Sequence, residues 1–360
     1  MRRLKLSKLL PESPTLVFLS FYTSNYSRSA TIFNFEDHNL DKVFIQIPSG
    51  IRLVLKLWTI NFRYRNSNVT YIVMSPSHLL VPFLRILTSK PIVLDAGWPL
   101  LDGHKTKGSM IRDLPNRTKI WWLDFISFHS SNLVLFESRA QCDYSKRKYL
   151  LNKRKIAVSF TGFDETQVVS SAKEGKSSKT SLPKSPYVLF RGKVNDEAGL
   201  LNIVNAFSKF DVVAPLVILT NRDLNLEVNN ERIIVIQGFV SIKEMSDLYK
   251  GASLCLGQLS SHPRLARTIP HKAFEAGYYG VPYISIKSTA ISEIFPNEKM
   301  CHYLDNDSPK GIAQAVNEIL SDAVLVHNYA QEIQNAYRSN LSQEKIYQNF
   351  IKTLTSKGFK

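Results

Sequence analysis

The chain has 360 residues, enough for two domains that each bury a core. With 44% hydrophobic and 11% aromatic residues it is not a disordered chain, and no apolar run approaches the about 20 residues of a spanning helix, so a soluble or peripheral protein is expected. A formal net charge of +16 predicts a positive field that attracts phosphate-bearing partners: nucleic acid, anionic lipid or nucleotide-linked substrates.

The opening MRRLKLSKLLPESPTLVF is basic like a signal peptide, but Pro11, Glu12 and Pro14 interrupt its apolar run, so it reads as a mature N-terminus. Short β-branched or aromatic runs follow at 16–21, 42–48, 70–75, 91–97, 132–138 and 155–160. They alternate with helical patterns at 77–89, where Pro82 predicts a kink or early break, and at 116–131. Such alternation predicts parallel strands with crossover helices, a Rossmann-like half over residues 1–165. Residues 166–185 are rich in Ser and Lys without apolar periodicity and read as a linker.

The alternation restarts at 187–192, 215–221, 232–239, 253–258 and 281–287, with helical patterns at 198–210, 241–251, 271–279 and 308–321. A second Rossmann-like domain over 186–341 follows. The stretch 342–359 carries a helical apolar stripe, Ile346, Phe350, Ile351 and Leu354, expected to pack back on the N-terminal domain. Two such domains predict an α/β architecture in which the halves face each other across a cleft, with ligands beyond the carboxyl ends of the strands.

Three widely spaced cysteines, Cys142, Cys255 and Cys301, form neither a disulfide framework nor a metal motif, so a reducing cytoplasm is expected. Basic clusters at Arg2, Arg3, Lys5 and Lys8 and at Lys146 to Lys155 are compatible with an anionic membrane surface or with a solvated helix face. His271 and Glu275, four apart, read as a surface pair rather than metal ligands, and Asp305-Asn306-Asp307 reads as a turn and N-cap. No metal site is expected.

The segment RTIPHKAFEAGYYGVPYISI (267–286) runs from a polar loop through Pro270 into a helix and then a strand. Lys272 on the first helical turn, with Arg264, Arg267 and Thr268 in the loop ahead of it, suits an anionic group such as a diphosphate, and Glu275 could accept from vicinal hydroxyls such as those of a ribose. Ala276, Gly277 and Gly280 would let the helix approach the sheet closely.

With YVLFRGKVNDEAGLLNIVNAF (187–207) and IVIQGFVSIKEMSDLYKGASLCLG (234–257), this segment resembles the C-terminal domain of GT-B glycosyltransferases, especially family 4 (glycosyl transferases group 1). The resemblance covers roughly 187–295. It implies an enzyme, a metal-independent, hexosyltransferase-like transferase without a cofactor. Such an enzyme would move a sugar from a nucleotide-diphosphate-sugar donor to a glycan or lipid-linked glycan in cell-surface polysaccharide synthesis, on the cytoplasmic side and peripheral to the inner face of the membrane. Gly192 and Lys193 stand at the family's Gly-Arg positions, so the implied donor-binding set is Gly192, Lys193, Arg267, Thr268, Lys272 and Glu275. Arg267 occupies the place of the family's first Glu, and Ala198-Gly199 replaces its Lys-Gly pair. These departures leave a second reading, a donor-site-degenerate GT-B protein that binds a glycan or partner without turnover. Basic residues are spread over both halves with no nucleic-acid-binding motif, so nucleic acid is not an expected partner. In the N-terminal half Asp95 and His104, past a strand end, are the catalytic candidates, although Asp102-Gly103 is also an ordinary turn signal.

Overall fold

A computed structural model describes residues 15–24, 29–104, 112–173, 186–192, 194, 196–221 and 230–359; the N-terminal basic cluster and Lys193 lie outside them. Two compact units emerge, Met1–Thr161 with Ile346–Lys360, and Gly162–Lys345.

The N-terminal unit runs β1 (Thr15–Ser20), α1 (Ser29–Phe33), β2 (Asp41–Gln46), α2 (Arg52–Arg63), β3 (Val69–Met74), α3 (Leu80–Leu87), β4 (Ile92–Gly97), α4 (Leu114–Ser130), β5 (Leu133–Phe136), α5 (Arg139–Lys148) and β6 (Ile156–Val158). The six strands form one parallel sheet in the order β2-β1-β3-β4-β5-β6. Strand side chains alternate between two layers. Val17 and Leu19 join Leu53 and Leu57 of α2, Leu80 and Leu84 of α3 and Phe128 of α4. Leu16 and Phe18 face the other way, onto Tyr347, Phe350 and Leu354 of a C-terminal helix, α12 (Gln343–Ser356). Covered on both faces, β1, β3, β4 and β5 are buried along their whole length, which is why they appear in the sequence as unbroken apolar runs.

The C-terminal unit runs α6 (Glu165–Lys173), β7 (Val188–Arg191), α7 (Leu200–Lys209), β8 (Leu216–Thr220), β9 (Ile233–Gln237), α8 (Ile242–Gly251), β10 (Leu254–Leu256), α9 (His271–Tyr279), β11 (Tyr283–Ile286), β12 (His302–Leu304), α10 (Pro309–Leu320) and α11 (Ala323–Ala336). Its parallel sheet has the order β12-β11-β10-β7-β8-β9. The chain builds outward from β7 through β8 to β9, then returns to the other side of β7 with β10. The strand order therefore reverses between β7 and β10, and a crevice opens at such a reversal.

Four local expectations are revised. The expected linker opens with α6, which packs beside α8, buries Val168 and is tied by donation from the Thr166 amide and hydroxyl to Gln343 Oε1, both at 3.1 Å. Pro82 does not kink α3: it falls in the first turn, where a missing N–H breaks no helical bond. Gly277 and Gly280 face Tyr337 and Gln334 rather than the sheet, since a Cβ on either would stand 3.1 Å from those side chains. Asp305-Asn306-Asp307 is a turn, but the cap of α10 is Ser308, while Asp307 accepts from the Ser261 amide at 3.0 Å.

Candidate functional site

α9 begins at the reversal point of the C-terminal sheet. Pro270 precedes it in extended conformation, the first turn has no side-chain cap, and Gly280 in the left-handed region ends it with the Val281 amide donating to Ala276 O at 3.0 Å. Lys272 projects from that first turn to the ends of both strands flanking the reversal. Its Nζ donates to Gly257 O, just past β10, at 3.2 Å, and stands 3.8 Å from the ring centroid of Phe190 in β7. At Gly192, just past β7, a Cβ would come within 3.3 Å of that Nζ, so glycine leaves the space over the ammonium open. Burial pushes the Lys272 ammonium down to about 7, against the opposing pull of Glu275.

Glu275, one turn further, is fully buried. Its Oε1 takes the Arg191 guanidinium and lies 3.0 Å from His271 Nδ1, while Oε2 accepts from the Tyr249 hydroxyl at 2.5 Å. Burial alone would push this carboxyl up, but Arg191, then His271 and Tyr249, override it and hold the group well below the usual carboxylate range. The Lys272–Glu275 spacing therefore does not make a surface pair, and the His271–Glu275 contact has a buried acidic end. Both Glu275 oxygens thus have partners within the unit. What this cluster offers outward is Arg191 and His271, whose side chains keep 34% and 45% exposure.

The loop between β10 and α9 carries the remaining candidates. Arg264 is held by Glu197, Nη1 to Oε1 at 2.8 Å and to Oε2 at 3.0 Å, and Arg267 is half-buried at the end of the turn Pro263–Ala266. Thr268 is buried, and its hydroxyl makes no hydrogen bond within the described residues; the same holds for the buried Gln258 Oε1. Buried polar atoms left in that state fit a site that a ligand completes. Between this loop and the one after β11 lies a cavity of about 550 Å³, lined by hydroxyl residues such as Ser260, Ser288 and Thr289 and also by apolar Pro263, Leu265 and Ile286. Gly199 fixes the loop's position: at φ +66° it is left-handed, and a Cβ there would sit 1.7 Å from Leu259 O.

In the N-terminal unit Asp95 is buried within β4. The turn reading of Asp102-Gly103 holds, because Leu100–Gly103 is a 3-10 turn whose Leu100 and Leu101 amides both donate to Asp124 at 3.0 Å. Burial raises that Asp124 carboxyl to about 6 despite the two amides. Asp102 accepts from Lys148 Nζ at 3.3 Å and Gln141 Nε2 at 3.2 Å. His104 Nε2 lies 2.7 Å from Asp113 Oδ2, an imidazole oriented by a buried carboxylate. The three cysteines are buried and form no disulfide, and among the described residues no cluster of His, Cys, Asp or Glu could hold a metal.

Residues 185–322 match the family model of glycosyl transferases group 1. Over these residues the C-terminal unit is similar to group 1 glycosyltransferases. Solved structures extend the likeness to the whole chain. Anabaena HepE in complex with UDP is 12% identical with a TM-score of 0.68, covering 95% of this chain and 100% of that one. Sucrose-phosphate synthase from Thermosynechococcus elongatus is 10% identical with a TM-score of 0.70, covering 96% and 98%. A glycosyltransferase from Rickettsia africae is 12% identical with a TM-score of 0.64, covering 96% and 99%. At these identities the likeness establishes the fold, which is GT-B. A comparison with curated proteins gives no match. Within this unit, the residues that sequence reasoning missed are Arg191, at the end of the strand predicted at 187–192, and Tyr249, inside the helical pattern at 241–251.

Proposed function

We propose that the chain is a glycosyltransferase whose C-terminal unit binds a nucleotide-diphosphate-sugar at the carboxyl ends of β7 and β10. The observation that carries this reading is Lys272, a buried ammonium on the first turn of α9, set against the glycines that end both strands at the sheet's reversal point. A diphosphate at the open side of Gly192 would meet Lys272, the α9 N-terminus and Arg191 together. When the bond from the anomeric carbon to the diphosphate breaks, its electron pair leaves with the diphosphate, and these groups stabilise the charge gained, with no cofactor and no metal required by the reading. Glu275 acts through the groups it holds, Arg191 and His271, while Thr268 and Arg267 stand in the loop facing the same region. The cavity beside that loop, which mixes serine and threonine hydroxyls with apolar side chains, is the space proposed for the sugar. Structures of the same fold are described with UDP and with UDP-glucose, so UDP-sugars are the first donors to test.

The acceptor belongs to the N-terminal unit, and a glycan or lipid-linked glycan of a cell-surface polysaccharide, reached from the cytoplasmic side of a membrane, is the proposed class. His104, backed by Asp113, is the group best arranged there to receive the acceptor hydroxyl's proton. Arg267 at the place of an expected Glu favours a second reading, a domain that binds without turnover. Two measurements separate them: thermal stabilisation by UDP and UDP-sugars, and formation of a glycosylated product from a lipid-linked acceptor pool. Stabilisation with product supports the enzyme, stabilisation without product supports the binding protein, and neither rejects the donor site.

A further inference from the structure

α2 has three distinct sides. At about 3.6 residues per turn, Leu53, Leu57 and Ile60 share the side that is buried against the sheet. Arg52, Lys56 and Arg63 line a second side. The third carries Ile51, just before the helix, with Val54, Leu55, Trp58 and Phe62, which are 42 to 85% exposed. A helix on a water-facing surface places charge opposite its core residues; this one places a tryptophan, a phenylalanine and branched aliphatics there. Trp58 and Phe62 stack with ring centroids 5.8 Å apart, and Arg65 covers the Phe62 ring at 4.5 Å.

The neighbouring helices continue the face. α3 packs beside α2 and α4 beside α3, and all three bury residues in the same layer of the core, so their opposite sides point away from the sheet together. On those sides α3 exposes Leu79, Phe83 and Ile86, and α4 exposes Trp122 and Ile126. Exposed apolar residues on the same side of three adjacent helices are unusual for a protein that meets only water.

Charge identifies what covers it. From Lys42 through Leu94 the sequence has no Asp or Glu; of its seven Lys and Arg residues Lys42, Arg85 and Lys90 donate to backbone carbonyls of the unit, which leaves Arg52, Lys56, Arg63 and Arg65 on and just after α2 as the charge beside the apolar side. The stems of Arg52, Lys56 and Arg63 run beside the apolar side, where their cationic ends can reach phosphates while the aromatic side lies deeper. The other basic cluster, at 146–155, is partly engaged internally: Lys148 binds Asp102, and Lys155 donates to His129 O. No described helix is long and apolar enough to cross a membrane.

We propose that the α2–α3–α4 face seats on an anionic phospholipid bilayer, with Leu55, Trp58 and Phe62 at the boundary between headgroups and acyl chains and Arg52, Lys56 and Arg63 on lipid phosphates. This face lies wholly in the N-terminal unit, so its test is separate from that of the donor site. The full chain is sedimented with vesicles of phosphatidylcholine alone and with about one lipid in three replaced by phosphatidylglycerol, at low and high salt. Binding should favour the anionic vesicles and weaken with salt. Leu55→Glu/Trp58→Glu should reduce it by about tenfold or more, and Arg52→Ala/Lys56→Ala/Arg63→Ala should remove the anionic preference. Because these side chains are largely outside the core, an unchanged thermal melt verifies that each variant folds. Failure of the wild-type chain to bind anionic vesicles, or equal binding by the variants, overturns the proposal. So does light scattering that shows a dimer split by Leu55→Glu/Trp58→Glu, because the face would then cover itself.

Discussion

Arg191, at the end of β7, is ion-paired to the fully buried Glu275 of α9, so the strand that starts the C-terminal sheet is locked to the helix at its reversal point. Tyr249, kept protonated by its burial, holds the second carboxylate oxygen and ties α8 into the same cluster. Glu275→Gln removes the charge while keeping the shape. It should cost about 2–4 kcal/mol in urea denaturation at neutral pH, below the full effect of breaking a buried pair because Arg191 is partly solvated. Since the folded carboxyl titrates below its ordinary value of 4.5, its contribution is complete above that pH and is lost as pH falls below it. Glu275→Gln should therefore flatten the acid limb of the stability profile; an unchanged limb would show that Glu275 does not carry this charge interaction.

Lys272 has the opposite sign of linkage. Its folded value of about 7 lies below the ordinary 10.5, so between these pH values the unfolded chain binds the proton more tightly and stability should rise with pH. Lys272→Met, which can keep the packing over Phe190, should abolish that rise and match or exceed the wild-type stability at pH 7. A wild-type profile that is flat between pH 7 and 10 would reject the buried ammonium.

Gly199→Ala tests the placement of the loop before α9. The left-handed backbone and the 1.7 Å approach to Leu259 O leave no room for a methyl group, and the obstacle is backbone rather than a flexible side chain. A loss of about 2–4 kcal/mol is expected from strain and displacement together. Calorimetric melting would check it, and a loss below 1 kcal/mol, roughly a surface substitution's effect, would mean that the loop does not press on Gly199 in solution.

If His104 is the proposed general base for the acceptor hydroxyl, His104→Ala should lower turnover by about a hundredfold while donor affinity stays within a factor of about two. Asp113→Asn should give a smaller loss with a displaced pH profile. Parallel measurement of kcat and donor binding decides this, and equal losses in both would assign His104 a structural role.

Much of the fold is legible because sheets covered on both faces need unbroken apolar strands, such as TYIVMS at 70–75 and LVILT at 216–220. α2 escapes the same reading: with apolar residues on both its buried and its exposed sides, RLVLKLWTINFR has no single stripe that marks a solvent-facing helix. At the site, Lys272 and Glu275 stand out in sequence, but their partners do not. Gly257 lies 15 positions from Lys272, and Arg191 lies 84 from Glu275. Only the strand order brings those positions together, and with them the buried pairing of Glu275 with Arg191.

The central claim is that Lys272 receives a nucleoside diphosphate at the ends of β7 and β10. Titration calorimetry with a panel of nucleoside diphosphates tests it most directly, run across about pH 7 to 9 in buffers of different ionisation enthalpy, at and above the unliganded Lys272 value of about 7, so that an anionic ligand draws a proton onto it. The account predicts that at least one nucleotide binds with proton uptake, and that Lys272→Met weakens it by about tenfold or more and abolishes the uptake. Binding by no member of the panel, or equal binding by Lys272→Met, would contradict it.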